Sequence, residues 1–526
     1  MSRFRSELRR RLFALGDWRG VSGVTAPEVH EKPAGLTPDG RLRTGSLAGL
    51  SMGAAIWALT WPILIESFLN SFVGLTDTVL AAQLGVDETD AVGSASYVIW
   101  FMGLVVMAIG VGTTALISRS VGRGRLAVAN AAVGQSLLLA GGLGTVVGVL
   151  IAVAGPGLAS LLTQTDAGAA AFSDYLRIVA AGTPFMAILG TCIAALRGAG
   201  DSVRPLWSMV VVNVVNIVSS WLLCGVDLTR LVHEPDGATR LEVVLANPSP
   251  VQLGVSGIAW GTVIANAAGC AIVMLMLVRG VGGVRLLRRR LRPHWHTMLR
   301  LVRVGLPNFF ETFGMWVGNF LVLAFVIHLS EGPGMTGAHI LAIRIESFSF
   351  LPGFAMSLAA ATLAGQYLGA GSPRLARRAV WRCAFIGAAL MGCLGLLFLL
   401  LPRQLASLLS SQEEHLRLVP DLLVIAGFVQ IPFALSIIMR GALRGVGDTR
   451  AVFIITWATT YLVRLPLAYL FSGVEMPLPG GGTLPNPFPH EPTLTGLWIG
   501  LCVEILIRCA LFVGRFMHGG WAAQRV

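Results

Sequence analysis

Leu196-Arg-Gly-Ala-Gly-Asp-Ser202 returns later in the chain as Leu443-Arg-Gly-Val-Gly-Asp-Thr449, an offset of 247 residues. Working outward, the relation recurs. Val121-Gly-Arg-Gly124 aligns with Leu368-Gly-Ala-Gly371 at 247, and Pro62-Ile-Leu-Ile-Glu66 with Pro307-Asn-Phe-Phe-Glu311 at 245. Ser256-Gly257 and Cys270 align with Thr495-Gly496 and Cys509 at 239. Four anchors in one order make the chain two copies of one unit.

The composition says what kind of unit. A length of 526 residues would suit several soluble domains, but 55% of residues are hydrophobic and only 13% charged. A water-soluble chain carries about a quarter charged residues to keep its surface solvated. Apolar stretches long enough to cross about 30 Å of hydrocarbon occur near 50–80, 91–117, 128–154, 173–196, 204–226 and 254–279. Six more follow near 304–329, 337–365, 377–401, 421–443, 451–473 and 494–518. Lipid offers no partner to open backbone groups, so each is expected to be a helix. Six crossings per copy give both copies the same orientation, which places a cavity between two lobes that rock against each other.

The expectation is an all-α membrane protein with twelve transmembrane helices in two pseudo-symmetric six-helix lobes. Its parts are a basic N-terminal segment 1–47, a first lobe 48–280, a linker 281–303, a second lobe 304–518 and a tail 519–526. One set of connections carries Arg119, Arg123 and Arg125, then Arg197 and Arg204, Arg285–Arg292, Arg374–Arg382, and Arg440, Arg444 and Arg450. The alternate set carries mainly acids, from Asp87 and Glu88 to Glu475 and Glu491. The positive-inside rule makes the arginine side and both termini cytoplasmic, in a plasma (inner) membrane. The net charge of +12 is then a topology signal, and no nucleic-acid partner is expected.

The remaining features read plainly. Phe4, Leu8, Leu12 and Leu15 share one helical face among arginines, as in a helix lying on an anionic leaflet, with a disordered tail as the alternative. No apolar run precedes a cleavage site, so no signal peptide is expected. The seven cysteines sit inside apolar runs without metal spacing, and His294 and His296 lack a third ligand, so no metal is expected. The connections at 227–253 and 474–494 both contain His-Glu-Pro and read as loop insertions at matching places.

At Pro62…Gly74-Leu-Thr-Asp77-Thr, the Leu196-Arg-Gly-Ala-Gly-Asp201 motif, Asn213, Asn216 and Gly254-Val-Ser-Gly257, the chain resembles the multidrug and toxic compound extrusion (MATE) antiporters. The similarity covers residues 50–518. It implies export of organic cations or other amphiphiles, driven by inward H⁺ or Na⁺ as the coupling ion, with no cofactor and no enzymatic step. It also implies a cation site of Asp77 on the first helix, Asn216 on the fifth and Thr262 on the sixth. Ser220 stands where one branch of the family has a second acid, and Phe433 where some relatives have a carboxylate. Met315 stands where several carry a seventh-helix Glu, with Glu311 one turn earlier.

Ionisable groups inside a span are costly and are functional candidates by default. Glu66 and Asp77 are eleven residues apart on one helix, so they share a face at a separation of ~16 Å, suited to successive protonation. The second lobe carries Glu311, Glu346 and Arg464 as candidates for substrate or cation contact. Glu504 and Arg508, four residues apart, suit a structural ion pair. Arg464 is placed to neutralise Glu311 or Glu346. Arg197 with Asp201, and Arg444 with Asp448, are expected to tie the loops and gate the inner side.

The expected partners are a small-molecule substrate and the lipid bilayer, with the protein a monomer. The alternative is a lipid-linked oligosaccharide flippase on a related two-lobe plan, for which Arg344, Arg464 and Arg508 would serve a diphosphate. A membrane enzyme or ATP-driven pump lacks its motif: no Gly-rich phosphate loop, HExxH or acidic metal cluster occurs.

Overall fold

The computed structural model describes residues 35–163, 165–233, 239–329, 334–477, 483–488 and 491–524. The face formed by Phe4, Leu8, Leu12 and Leu15 lies outside them, as do parts of both His-Glu-Pro tripeptides.

Among the described residues, twelve helices are long and apolar enough to cross a membrane. The first six are α1 Met52–Leu84, α2 Val86–Gly122, α3 Leu126–Leu162, α4 Asp166–Gly198, α5 Val203–Cys224 and α6 Val255–Arg279. The second six are α7 Trp295–Leu329, α8 Met335–Gly369, α9 Pro373–Leu400, α10 Glu413–Gly445, α11 Thr449–Ser472 and α12 Leu494–His518. The protein is therefore a multi-pass membrane protein. Most helices extend past the apolar windows; α7 begins at Trp295, inside the segment read as linker. α11 widens into a π-helical turn at Thr460–Arg464. Pro466 lies just beyond and has no N–H to return to the carbonyl of Leu462, so the regular ladder cannot close there.

Within the first half α4 packs on α2, α3 and α6, and α5 on α1 and α6. In the second half α10 packs on α8, α9 and α12, and α11 on α7 and α12. Residues such as Val153 on α3 and Phe385 on α9 are largely exposed, as a lipid-facing surface requires. The halves meet where α2 crosses α7 and α8, and where α1 crosses α8.

At the arginine-bearing end the seam is tight. Cβ atoms added at Gly122 and Gly369 would strike the backbone of Gln366 and Arg119 respectively. Both pairs are related by the 247-residue offset, so α2 and α8 cross symmetrically. Residues 35–50 lie across this crossing. Leu36, Leu42 and Leu47 are buried against α8 and α9, and Ser46 N–H donates to Ala199 O at 3.1 Å. After α12, Trp521 stacks on Phe516 with rings 5.1 Å apart, and Arg119 Nη1 donates to Gln524 O at 2.6 Å. The linker is held by two α3 side chains: Asn130 accepts from Arg285 N at 2.7 Å, and Gln135 donates to Arg290 O and Arg292 O, both at 2.8 Å, and accepts from His294 N at 2.7 Å.

At the opposite end both insertions are hairpins, Leu228–His233 with Thr239–Leu245 and Met476–Pro477 with Thr483–Leu484. Asn247 and Asn486 fasten them identically. Their amides donate to Trp221 O and Tyr469 O at 2.6 Å, the second also reaching Val474 O at 3.4 Å and the first Val226 O at 3.3 Å. Each opens an Asn-Pro-x-Pro segment, 247–250 and 486–489.

Candidate functional site

Asp77 projects from α1 into the first lobe and is 7% exposed. Its Oδ2 accepts from Tyr175 Oη on α4 and Thr262 Oγ1 on α6, each at 3.1 Å. Thr262 is itself an acceptor, from Asn216 Nδ2 on α5 at 3.0 Å. Asn216 Nδ2 also reaches Ser220 Oγ at 3.4 Å. Four helices thus converge on one carboxylate, with a hydroxyl relaying between the acid and the amide. α6 comes this close to α5 because of Gly257 and Gly261, where a Cβ would strike Leu223 and Ser220.

Two oxygens in the cluster, Asp77 Oδ1 and Asn216 Oδ1, are buried with no hydrogen-bond partner among the described residues. Both are acceptors, so the vacant valence calls for a donor or a cation. A proton on Asp77 or a small hard cation among the carboxylate, amide and hydroxyl oxygens fits this donor set. Asp77, Asn216 and Thr262 are brought together as the resemblance implied. Tyr175 joins them although the sequence reading passed over it. The signal was there: Tyr175 is one of only five tyrosines and sits within a span, where its hydroxyl requires a partner.

Glu66 is not part of this cluster. Its carboxylate is ion-paired with Arg197 Nη2 at 2.6 Å and only 3% exposed. The second lobe repeats the arrangement: Glu311, fully buried, is bound by Arg444, whose Nε lies at 3.1 Å and whose Nη2 is closer. Thr456 Oγ1 donates to Glu311 at 3.0 Å, and Arg440 Nη1 lies 3.6 Å away. So Arg464 does not neutralise Glu311, and successive protonation of Glu66 and Asp77 loses its first member to an ion pair.

The loop arginines likewise bind elsewhere than expected. Side chains on a helix lean toward its N-terminus, so Arg197 and Arg444, in the last turns of α4 and α10, reach back into the lobes rather than onward to Asp201 and Asp448. Asp201 instead accepts from Val203 N at 3.0 Å and Arg204 N at 3.1 Å, capping α5, and pairs with the Arg204 side chain. Asp448 pairs with Arg515 at 2.8 Å and accepts from Gln524 Nε2 at 3.3 Å.

The second lobe also holds a cavity of about 370 Å³ between α7, α8, α11 and α12, with Tyr97 of α2 on its wall. Glu346 and Arg464 both line it. Arg464 Nη1 donates to Asn319 Oδ1 at 2.6 Å, and its Nε lies 3.7 Å from Glu504. Glu504 is held more closely by Arg508, at 2.6 Å, which also donates to Thr459 and Thr460 at 3.0 Å.

Comparison with known proteins places this geometry. The MatE family pattern matches residues 62–222 and 307–470, one stretch in each half. A probable multidrug resistance protein NorM of Thermotoga maritima is 24% identical over 89% of this chain and 93% of its own length. The probable NorM of Rhodopseudomonas palustris is 26% identical over 91% and 96%. The solved structure of MATE in the bent conformation has a TM-score of 0.75 at 20% identity, covering 90% of this chain and 96% of that one. An outward-facing multidrug resistance MATE transporter of the MOP superfamily gives 0.71 at 21%, covering 90% and 97%. The fold is thus the two-lobe MATE fold. With the family pattern spanning more than half its length, the chain belongs to the MatE family of membrane transporters.

Proposed function

We propose that this protein is a secondary active antiporter that exports organic cations or amphiphilic drugs by alternating access, driven by inward H⁺ or Na⁺ taken up at Asp77. The observation that carries the reading is the Asp77 cluster, drawn from one lobe: a buried acid that, among the described residues, has one unpartnered oxygen and no arginine paired to it. A charge held this way is stabilised by gaining a cation, and that gain rearranges the hydrogen bonds joining α1, α4, α5 and α6. The cytoplasmic side is the arginine-bearing end, which the α2–α8 crossing closes. The names of the curated relatives support drug export. For a flippase the second lobe would have to neutralise a diphosphate. Among the arginines of that interior, Arg440 and Arg444 are matched to Glu311 and Arg508 to Glu504, which leaves Arg464 alone to meet a diphosphate and weighs against that alternative.

The test is transport of rhodamine 123, a fluorescent organic cation, in proteoliposomes with a pH or a Na⁺ gradient imposed separately. Wild type is expected to respond to one of them, and Asp77→Asn, which keeps the size but cannot change charge, to neither. Gradient-driven transport by Asp77→Asn at the wild-type rate would remove Asp77 from the coupling. Isoprenoid diphosphate binding without any gradient response would favour the flippase.

A further inference from the structure

We infer that the second-lobe cavity is a substrate subsite selective for aromatic zwitterions, holding the cationic end at Glu346 and the carboxylate end at Arg464. This rests on the transporter reading and goes beyond it, because the cation site in the first lobe contributes nothing to the cavity.

Three observations carry the inference. The walls are aromatic: Trp316, Phe320 and Trp498 line the cavity, and Tyr97 faces them from the other lobe. Such walls favour a flat conjugated body, and a volume of about 370 Å³ suits a ligand of drug size.

Second, the two charged groups on the wall are unequal in their partners. Among the described residues Glu346 has no side-chain hydrogen bond and no ion pair within 4 Å, whereas Glu311 and Glu504, the other acids of this lobe interior, are each bound by arginine. Arg464 gives one N–H to Asn319 and holds Glu504 only loosely, at 3.7 Å, behind the closer Arg508. The guanidinium therefore keeps hydrogen-bonding capacity for a carboxylate, and a fixed positive charge in the same wall lowers the attraction of a ligand that is only a cation. A ligand with both charges meets both demands.

Third, His339 is held in one tautomer. The Trp498 indole N–H can only donate, and it lies 3.0 Å from His339 Nδ1, so Nδ1 is the acceptor and the neutral ring carries its proton on Nε2. His339 lines the same cavity and adds a neutral donor, suited to a carboxylate oxygen. The π-helical turn of α11 ends at Arg464, an irregularity of the kind found where a helix presents a functional side chain.

The experiment measures fluorescence polarisation of three dyes on purified full-length protein. Rhodamine 110 is the zwitterion, its methyl ester rhodamine 123 the cation, and fluorescein the anion, all on one ring framework. Rhodamine 110 is expected to bind about tenfold more tightly than the other two, the worth of one well-placed charge pair. Glu346→Gln is expected to weaken rhodamine 110 by a similar factor and leave fluorescein unchanged. Ile343→Trp, which fills the cavity from an uncharged lining residue that is 45% exposed, is expected to abolish binding. It also keeps the test informative should Glu346→Gln fold poorly. Tighter binding of rhodamine 123 than of rhodamine 110 overturns the inference, as does zwitterion binding that survives Ile343→Trp. Gradient-driven transport of rhodamine 123 reads the antiport separately. If that persists while the zwitterion preference is missing, the subsite falls and the antiport stands.

Discussion

Alanine at Gly122 or Gly369 should prise the two lobes apart at the arginine-bearing end. The contact is between backbones: a Cβ at Gly122 would sit 2.7 Å from Gln366 C and 2.9 Å from its Cα, and closer still to its carbonyl oxygen. One at Gly369 would sit 2.9 Å from both Arg119 C and Cα. No flexible side chain can move aside, so relief requires α2 and α8 to separate. Overpacking of this kind costs about 1–3 kcal/mol, and backbone against backbone belongs at the upper end. The cost falls only on the state in which this end is closed. About 2–3 kcal/mol therefore shifts the equilibrium toward the open state roughly 30- to 150-fold. The double variant should add less than the sum, because one methyl already spaces the crossing.

The assay is a distance measurement between spin labels at Arg125→Cys and Arg374→Cys, exposed positions flanking the seam. A Cys393→Ser background suits it, since the other six cysteines are buried. Gly142→Ala, where a Cβ meets nothing within 4 Å, is the control and should leave the distances unchanged. A distance distribution for Gly122→Ala identical to that of the control would refute the idea that the lobes part at this crossing.

Three further outcomes follow from the same coordinates. Glu311→Gln leaves Arg440 and Arg444 without their shared acid, a loss of about 3–5 kcal/mol, whereas Glu66→Gln frees Arg197 alone. Thermal unfolding followed by size-exclusion chromatography should rank Glu311→Gln well below Glu66→Gln, and equal midpoints would count against the ranking. Tyr175→Phe removes one of two donors to Asp77, so Asp77-dependent transport should weaken; Thr262→Ala should weaken it more because it also unties Asn216, and the reverse order would remove Thr262 from its relay position. Trp521→Ala deletes a buried ring stacked on Phe516, worth about 3–5 kcal/mol in a core, and should loosen the Gln524 contact to Arg119; unchanged stability and unchanged label distances would show that the tail is not part of the seam.

The repeat, the twelve spans and their alternation were legible because lipid leaves a chain few options. Only long apolar helices satisfy the backbone, and arginines gather at one end. The Asp77 cluster was legible through resemblance, but Tyr175 was not, since nothing in the spacing of α4 says which face meets α1. The Glu–Arg pairs show a different limit. Both Pro62…Glu66 with Pro307…Glu311, and Leu196-Arg with Leu443-Arg, were visible as repeats. That the two motifs bind each other depends on side-chain lean at a helix end, and sequence proximity suggested the neighbouring aspartates instead. The Asn-Pro-x-Pro segments were also in plain view, but their role appears only once each asparagine is seen bonding across a hairpin base.

The repeat itself separates what the two lobes share from what each does alone. At one set of positions the copies agree: Glu66 with Glu311, Arg197 with Arg444, Gly122 with Gly369, Asp201 with Asp448, Asn247 with Asn486. These positions latch helices, cap turns or seal the seam, and a two-lobed machine needs them twice. At a second set they disagree. The offsets carry Asp77, Asn216 and Thr262 onto Val322, Val463 and Leu501, and carry Glu346, Arg464, Glu504 and Arg508 back onto Ile99, Ile217, Ala265 and Gly269. Every charge of this second set is apolar in the other copy. Since a buried ionisable group is costly wherever it sits, a fold that needed them for stability would keep them in both copies. Their confinement to one lobe each argues that the two sets do different work, while the shared pairs Glu66–Arg197 and Glu311–Arg444 hold each lobe together.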